Sequence, residues 1–230
     1  MCNRWLPMFG VSFALVACFN TETVDSTHDV EVDDFEDRDQ WADPGSGFGP
    51  WYCGVWYGDQ ETSQECPVGS PGFESDAAGF LTFRLDRLPK LASTGVLLGV
   101  VSEPAQSLKS FRNLRFAAKL REPDPRPPEV TRLDIELVCP GALADLPAAG
   151  LPVVTYYNRE NDKFGLQLTD EWNTYTLPLT HFEEPWWQGS ALDPQKCLDQ
   201  VEALQFVIAP DLSSRESAAG TLWIDDVSLE

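Results

Sequence analysis

Aromatic side chains and carboxylates are the residues through which this chain could do chemistry, and the aromatics are clustered. Trp51, Tyr52, Trp56 and Tyr57 form one cluster, Tyr156 and Tyr157 a second, Trp186 and Trp187 a third. Flat Trp and Tyr faces stack on the apolar C–H faces of sugar rings, while nearby Asp, Asn, Gln and Arg bond the hydroxyls. Trp51, Tyr57, Tyr157, Trp186 and Trp187 are therefore the candidate ligand-binding residues. Adjacent aromatics on a strand point to opposite faces, so one of each pair is expected in the core. Trp186 and Trp187 follow Pro185 in a Glu-rich, Gly-ended loop, and an exposed pair of that kind suits binding. Hydrophobic cover over the edge of the fold is the competing reading at each position. Trp172, Tyr175 and Trp223 read as core or strand-packing residues.

Catalytic patterns are scarce. The sequence has no Gly-x-Ser-x-Gly elbow, no His-Glu-x-x-His helix and no phosphate-cradling glycine loop. His181, beside Phe182 just after a predicted strand, reads as a surface or capping residue rather than a base. A glycosidase needs only two carboxylates, but nothing marks a particular pair among the 37 acidic residues. The expectation is a protein that is not an enzyme.

The elements that must position these residues are strands. Leu81, Phe83 and Leu85 alternate with Thr82, Arg84 and Asp86. Leu114, Phe116, Ala118 and Leu120 alternate with Arg115, Ala117, Lys119 and Arg121, and Leu133, Ile135, Leu137 and Cys139 with Asp134 and Glu136. Period-two alternation of this length marks half-buried strands. Further strands are expected at 96–101, 153–158, 164–168, 174–179, 204–209 and 221–229, with one helical turn near 194–199. Asp43-Pro44-Gly45, Pro71-Gly72, Pro123 to Pro128 and Pro140-Gly141 separate the runs with turn chemistry. Short strands so spaced predict an all-β fold, an antiparallel β-sandwich.

The first residues carry an address. Arg4 is the only charge before an apolar run from Trp5 to Ala17, the pattern of a secretory signal. The run is short of the roughly 20 residues that span a membrane. Leu15-Val16-Ala17-Cys18 resembles the lipobox of bacterial lipoproteins, which implies cleavage before Cys18 and a diacylglycerol on its sulfur. The expected organisation is a signal peptide over 1–17, the lipidated cysteine and a polar tether over 18–31, and a single domain over 32–230. Cys18 is followed by Phe19 and Asn20 rather than Asp, which leans towards the outer membrane. The formal net charge of −21 repels nucleic acid and anionic lipid headgroups and suits calcium or a neutral ligand. Four cysteines remain in the exported domain, Cys53, Cys66, Cys139 and Cys197. They suggest two disulfides with three possible connectivities. The preferred pairs are Cys53–Cys66, closing a short loop, and Cys139–Cys197, joining distant segments. A zinc site is the rival reading, but no two cysteines are closely spaced and the chain has two histidines.

Three segments together resemble the galactose-binding-like jelly-roll superfamily, especially family 11 carbohydrate-binding modules and complex-I intermediate-associated domains. They are Val32-Asp33-Asp34-Phe35-Glu36-Asp37, Trp172 to Leu179 followed by Phe182, and Gly220 to Leu229. Residues 50–75 and 123–152 depart from that pattern. The resemblance implies a jelly-roll sandwich that binds carbohydrate without catalysis, through an aromatic groove on a concave sheet or in its loops. The alternative is a structural or protein-interaction lipoprotein of the cell envelope. The resemblance also implies a structural calcium where the first and last strands approach, with Glu36 and Asp225 or Asp226 as ligands and Asp33 and Asp34 as weaker candidates.

Overall fold

The computed structural model describes residues 29–57, 60–64, 67–86, 94–121, 132–140, 153–185, 193–208 and 217–230. Cys18, the signal segment and nearly all of the tether lie outside them. No helix among the described residues is long and apolar enough to cross a membrane.

Fifteen strands run through the described residues. In chain order they are β1 (Val30–Asp33), β2 (Trp51–Tyr57), β3 (Gln60–Gln64), β4 (Val68–Gly69), β5 (Ala78–Asp86), β6 (Thr94–Gln106), β7 (Asn113–Arg121), β8 (Arg132–Val138), β9 (Val153–Asn158), β10 (Lys163–Phe164), β11 (Leu166–Gln167), β12 (Asn173–Pro178), β13 (Phe182–Glu183), β14 (Val201–Ile208) and β15 (Ser217–Leu229). A six-stranded sheet has the order β12-β7-β15-β5-β4, with β1 also paired to β15. A nine-stranded sheet has the order β10-β9-β8-β14-β6-β2-β3, with β11 on β8 and β13 on β9. All pairings are antiparallel, and from β5 to β8 the chain changes sheet at every step, the pattern of a jelly-roll sandwich.

The alternating sequences produce this arrangement directly. Leu114, Phe116 and Leu120 of β7, Leu133, Ile135 and Leu137 of β8, and Leu204, Phe206 and Ile208 of β14 all turn inward and are at most 6% exposed. Between the sheets Phe116 meets Phe206 edge to face, and Phe206 stacks on Trp51. β1 ends where Asp33 turns the chain: its Oδ1 accepts from the Phe35 amide at 2.7 Å and its Oδ2 from the Trp51 indole at 2.5 Å. A short helix, α1 (Pro194–Asp199), is capped by the Asp193 side chain, which accepts from the Gln195 amide, with proline in its first turn. Cys139, just after β8, is bonded to Cys197 of α1 across 58 residues. A loop of that length stabilises the fold by about 4 kcal/mol in the chain-entropy picture. Cys53 is also disulfide-bonded, and Cys66 lies outside the described residues.

Candidate functional site

One row of residues crosses the nine-stranded sheet on its outer face. Tyr52 pairs with Gly99, Gly99 with Gln205, Gln205 with Glu136, Glu136 with Thr155, and Thr155 with Glu183. Directly opposed residues of antiparallel strands share a face, and this face is opposite the core-facing Trp51, Leu98, Phe206, Ile135 and Val154. A neighbouring row, Val101–Ala203–Val138–Val153, is apolar. Much of this face is covered, with Leu97, Val138, Ala203, Gln205 and Val207 at most 4% exposed, while Tyr52 and Glu136 are half-buried.

Each polar member of the row is set by local packing. Gly99 leaves room for the Tyr52 ring, since a Cβ there would stand 2.8 Å from Tyr52 Cζ. Lying over that glycine, the Tyr52 hydroxyl accepts from the Gln205 side-chain amide at 2.5 Å. One strand further, Arg132 grips Asp134 with two contacts, Nε to Oδ1 at 2.7 Å and Nη2 to Oδ2 at 2.8 Å. Gly165, at φ +74°, approaches Asp134 Oδ1 so closely that a Cβ would lie 2.3 Å from it. Burial raises the Asp134 carboxyl, and Arg132 opposes the shift. Burial raises Glu136 to about 8; Asp134 adds to the shift and Arg132 opposes it. The Thr155 hydroxyl is fully buried and has no hydrogen-bond partner among the described residues. Leaving such a group unsatisfied costs about 1–3 kcal/mol.

The structure distributes the sequence candidates unevenly. Trp51 is corrected: at 3% exposure it is a core residue, packed on Phe35 and Phe206, and its neighbour Tyr52 is the member of the pair that faces out. Tyr57 ends β2 opposite Gln60 and Thr94, and its side chain lies outside the described ones. Tyr157 lies on the same outer face as Thr155 by alternation, edge to face with Phe164 and bonded through its hydroxyl to Asp162. Trp186 and Trp187 lie outside the described residues. Tyr175 stacks on Phe116, as a packing residue should. Trp172 and Trp223 do not enter the core: they sit half-buried on the outer face of the six-stranded sheet, with the Lys119 ammonium 4.5 and 4.9 Å from their ring centres. Tyr52, Gln205, Glu136 and Thr155 were not singled out from sequence. The only signal was the alternation that turned Asp134 and Glu136 away from the core.

A separate acidic site forms where β1 pairs with β15. Glu31, Asp34 and Asp43 bring carboxylate oxygens within 4.8 Å of one another. Burial raises Glu31, and Asp34, Asp43 and Asp226 add to the shift. Burial raises Asp226 too, with Asp34, Glu74 and Glu36 adding and Arg115 opposing. Asp225 has another role: fully buried, it accepts from the Phe73 amide and the Ser75 hydroxyl on Oδ2 and from the Asp226 amide on Oδ1. Glu36 accepts from the Asp76 amide. All-oxygen donors of this kind suit calcium rather than a soft metal.

No protein-family model matches the sequence, and no curated protein is similar to it in sequence. Among solved structures it is similar to a family 11 carbohydrate-binding module from a cellulosomal cellulase of Clostridium thermocellum, at 14% identity and a TM-score of 0.49, over 88% of this chain and 94% of that one. It is also similar to a family 28 module described as specific for non-crystalline cellulose, at 13% identity and a TM-score of 0.45, over 87% of this chain and 92% of that one. A cleaved adhesin domain of Lys-gingipain from Porphyromonas gingivalis gives 11% identity and a TM-score of 0.39, over 88% and 98% of the two chains.

Proposed function

We propose that this domain is a non-catalytic carbohydrate-binding module, carried on a bacterial membrane surface by lipid on Cys18, that lays a saccharide across the outer face of the nine-stranded sheet. The observation that carries the reading is the polar row Tyr52–Gly99–Gln205–Glu136–Thr155–Glu183 on the outward side of the sheet. It holds hydrogen-bonding groups on the outward side of five strands, and it includes a buried hydroxyl without a hydrogen-bond partner among the described residues. The half-buried Tyr52 and Glu136 would bond sugar hydroxyls, and Tyr157 on the same face would meet the ring. Asp134 is bound by Arg132 and Glu183 faces Arg159 at 3.3 Å, so neither stands free as half of a hydrolytic carboxylate pair.

A structural calcium belongs to the same reading. Glu31, Asp34 and Asp43 would supply oxygen ligands, and the ion would neutralise their mutual repulsion and fasten β1 to β15.

The reading is tested by affinity electrophoresis through gels containing soluble neutral polysaccharides. The first probe is a β-1,3-1,4-mixed-linkage glucan, because a related module was solved with a tetrasaccharide of that linkage; xylan and mannan complete the panel. Retardation of the wild type by at least one of them, weakened roughly tenfold by Gln205→Ala, is the expected result. A wild type that migrates freely through every gel overturns it.

A further inference from the structure

We infer that Trp41 is the aromatic platform of the saccharide site, standing at its rim; the inference rests on the carbohydrate-binding reading above. Among the described residues Trp41 is the one large hydrophobic side chain left exposed, at 60%. Its position in the sheet explains what that exposure is for. Trp41 forms an antiparallel bridge with Pro50. Pro50 in turn lies against Val101: the Val101 amide donates to Pro50 O at 3.2 Å and the Gly49 amide to Val101 O at 2.7 Å. Val101 begins the apolar row Val101–Ala203–Val138–Val153.

The pairing therefore extends that row outward to Trp41. Pro50 precedes Tyr52 by two residues and Val101 follows Gly99 by two, so both share the face of Tyr52 and Gln205. Opposed residues share a face, which places Trp41 on that face as well. The indole stands at the edge of the sheet, one row from the hydrogen-bonding residues.

Its backbone is pinned on both sides. The Trp51 amide donates to Gln40 O at 2.8 Å, the Ala42 amide to Gly49 O at 3.0 Å, and the Trp41 amide to Asp39 Oδ1 at 2.6 Å. An aromatic displayed on a fixed backbone needs little ordering when a ligand arrives. A pyranose has an apolar face and a hydroxylated edge. The first fits the exposed indole, the second the half-buried Tyr52 and Glu136. Asp37 and Asp39 precede the tryptophan in the chain, so the ring that stacks there is neutral rather than a uronic acid.

The test compares wild type, Trp41→Ala and Trp41→Phe in the same polysaccharide gels, with thermal melts of all three. The expected result is wild-type retardation, about tenfold or greater weakening in Trp41→Ala, an intermediate value in Trp41→Phe, and unchanged melting midpoints. A wild type that binds beside a Trp41→Ala protein that binds equally well overturns the inference and leaves the carbohydrate-binding reading standing. A wild type that binds nothing in the panel overturns both.

Discussion

Gly99 sets the position of Tyr52 on the outer face at the scale of a single residue. Without a side chain it lets Tyr52 lie flat across β6 and reach Gln205, 153 residues further along the chain. Gly99→Ala would place a methyl group 2.8 Å from Tyr52 Cζ and force the ring out of that position. The expected outcome is destabilisation by about 1–3 kcal/mol, as in other overpacked sites. Polysaccharide binding should weaken roughly tenfold with the lost hydrogen bond. Chemical denaturation and affinity electrophoresis of the variant check both effects, and binding equal to wild type would remove Tyr52 from the site. Trp51 shows the same dependence on facing. Its side chain is as large and as flat as a sugar platform requires, but β2 turns it inward to Phe35 and Phe206, where its indole nitrogen meets Asp33.

At the scale of elements, the seam between β1 and β15 concentrates charge that the fold must tolerate. Burial pushes Asp33 up to about 7 and Asp225 up to about 6, against the amide and indole hydrogen bonds that lower them. Both carboxyls are raised, so the folded chain holds protons there that the unfolded chain has released above about pH 4. Stability contributed by these groups is present at low pH and is lost as pH rises towards 7. In the presence of a chelator the melting midpoint should therefore fall between pH 5 and pH 8. Calcium at Glu31, Asp34 and Asp43 should raise the midpoint at pH 8, by a stabilisation of about 2.7 kcal/mol at a hundredfold excess over Kd. A midpoint that rises with pH under chelation would contradict the first expectation, and one indifferent to calcium the second. The resemblance placed the first strand at Val32 to Asp37; β1 is instead Val30–Asp33, and the chain leaves the strand after Asp33. Its pairing with the last strand agrees with what the resemblance implied. The ligand set was not legible in sequence: Asp225 is occupied by the Phe73 amide and Ser75 hydroxyl, which come from a loop whose path no local pattern encodes.

At the scale of the whole molecule, a chain with a net charge of −21 places its outward polar row on one sheet and a lysine between two tryptophans on the other. Attachment through Cys18 would keep both faces close to the envelope. Radioactive palmitate should label the wild type and not Cys18→Ala in a bacterial host; equal labelling of the two would refute the anchor. Strand character at 81–86, 114–121 and 133–139 was determined by the sequence alone, because alternation is a local property and each apolar residue can be assigned to a face without its partner. The facing of Asp134 and Glu136 away from the core followed from the same alternation. The pairing of Cys139 with Cys197 agrees with the preferred connectivity, but only the approach of β8 to α1 decided it among three. The hairpin of β2 and β3 lay in a stretch that matched no pattern. Which outward residues stand side by side was likewise decided only in three dimensions. Tyr52, Gly99, Gln205, Glu136 and Thr155 come from five strands, and their alignment depends on strand order and register, which are properties of pairing between distant segments.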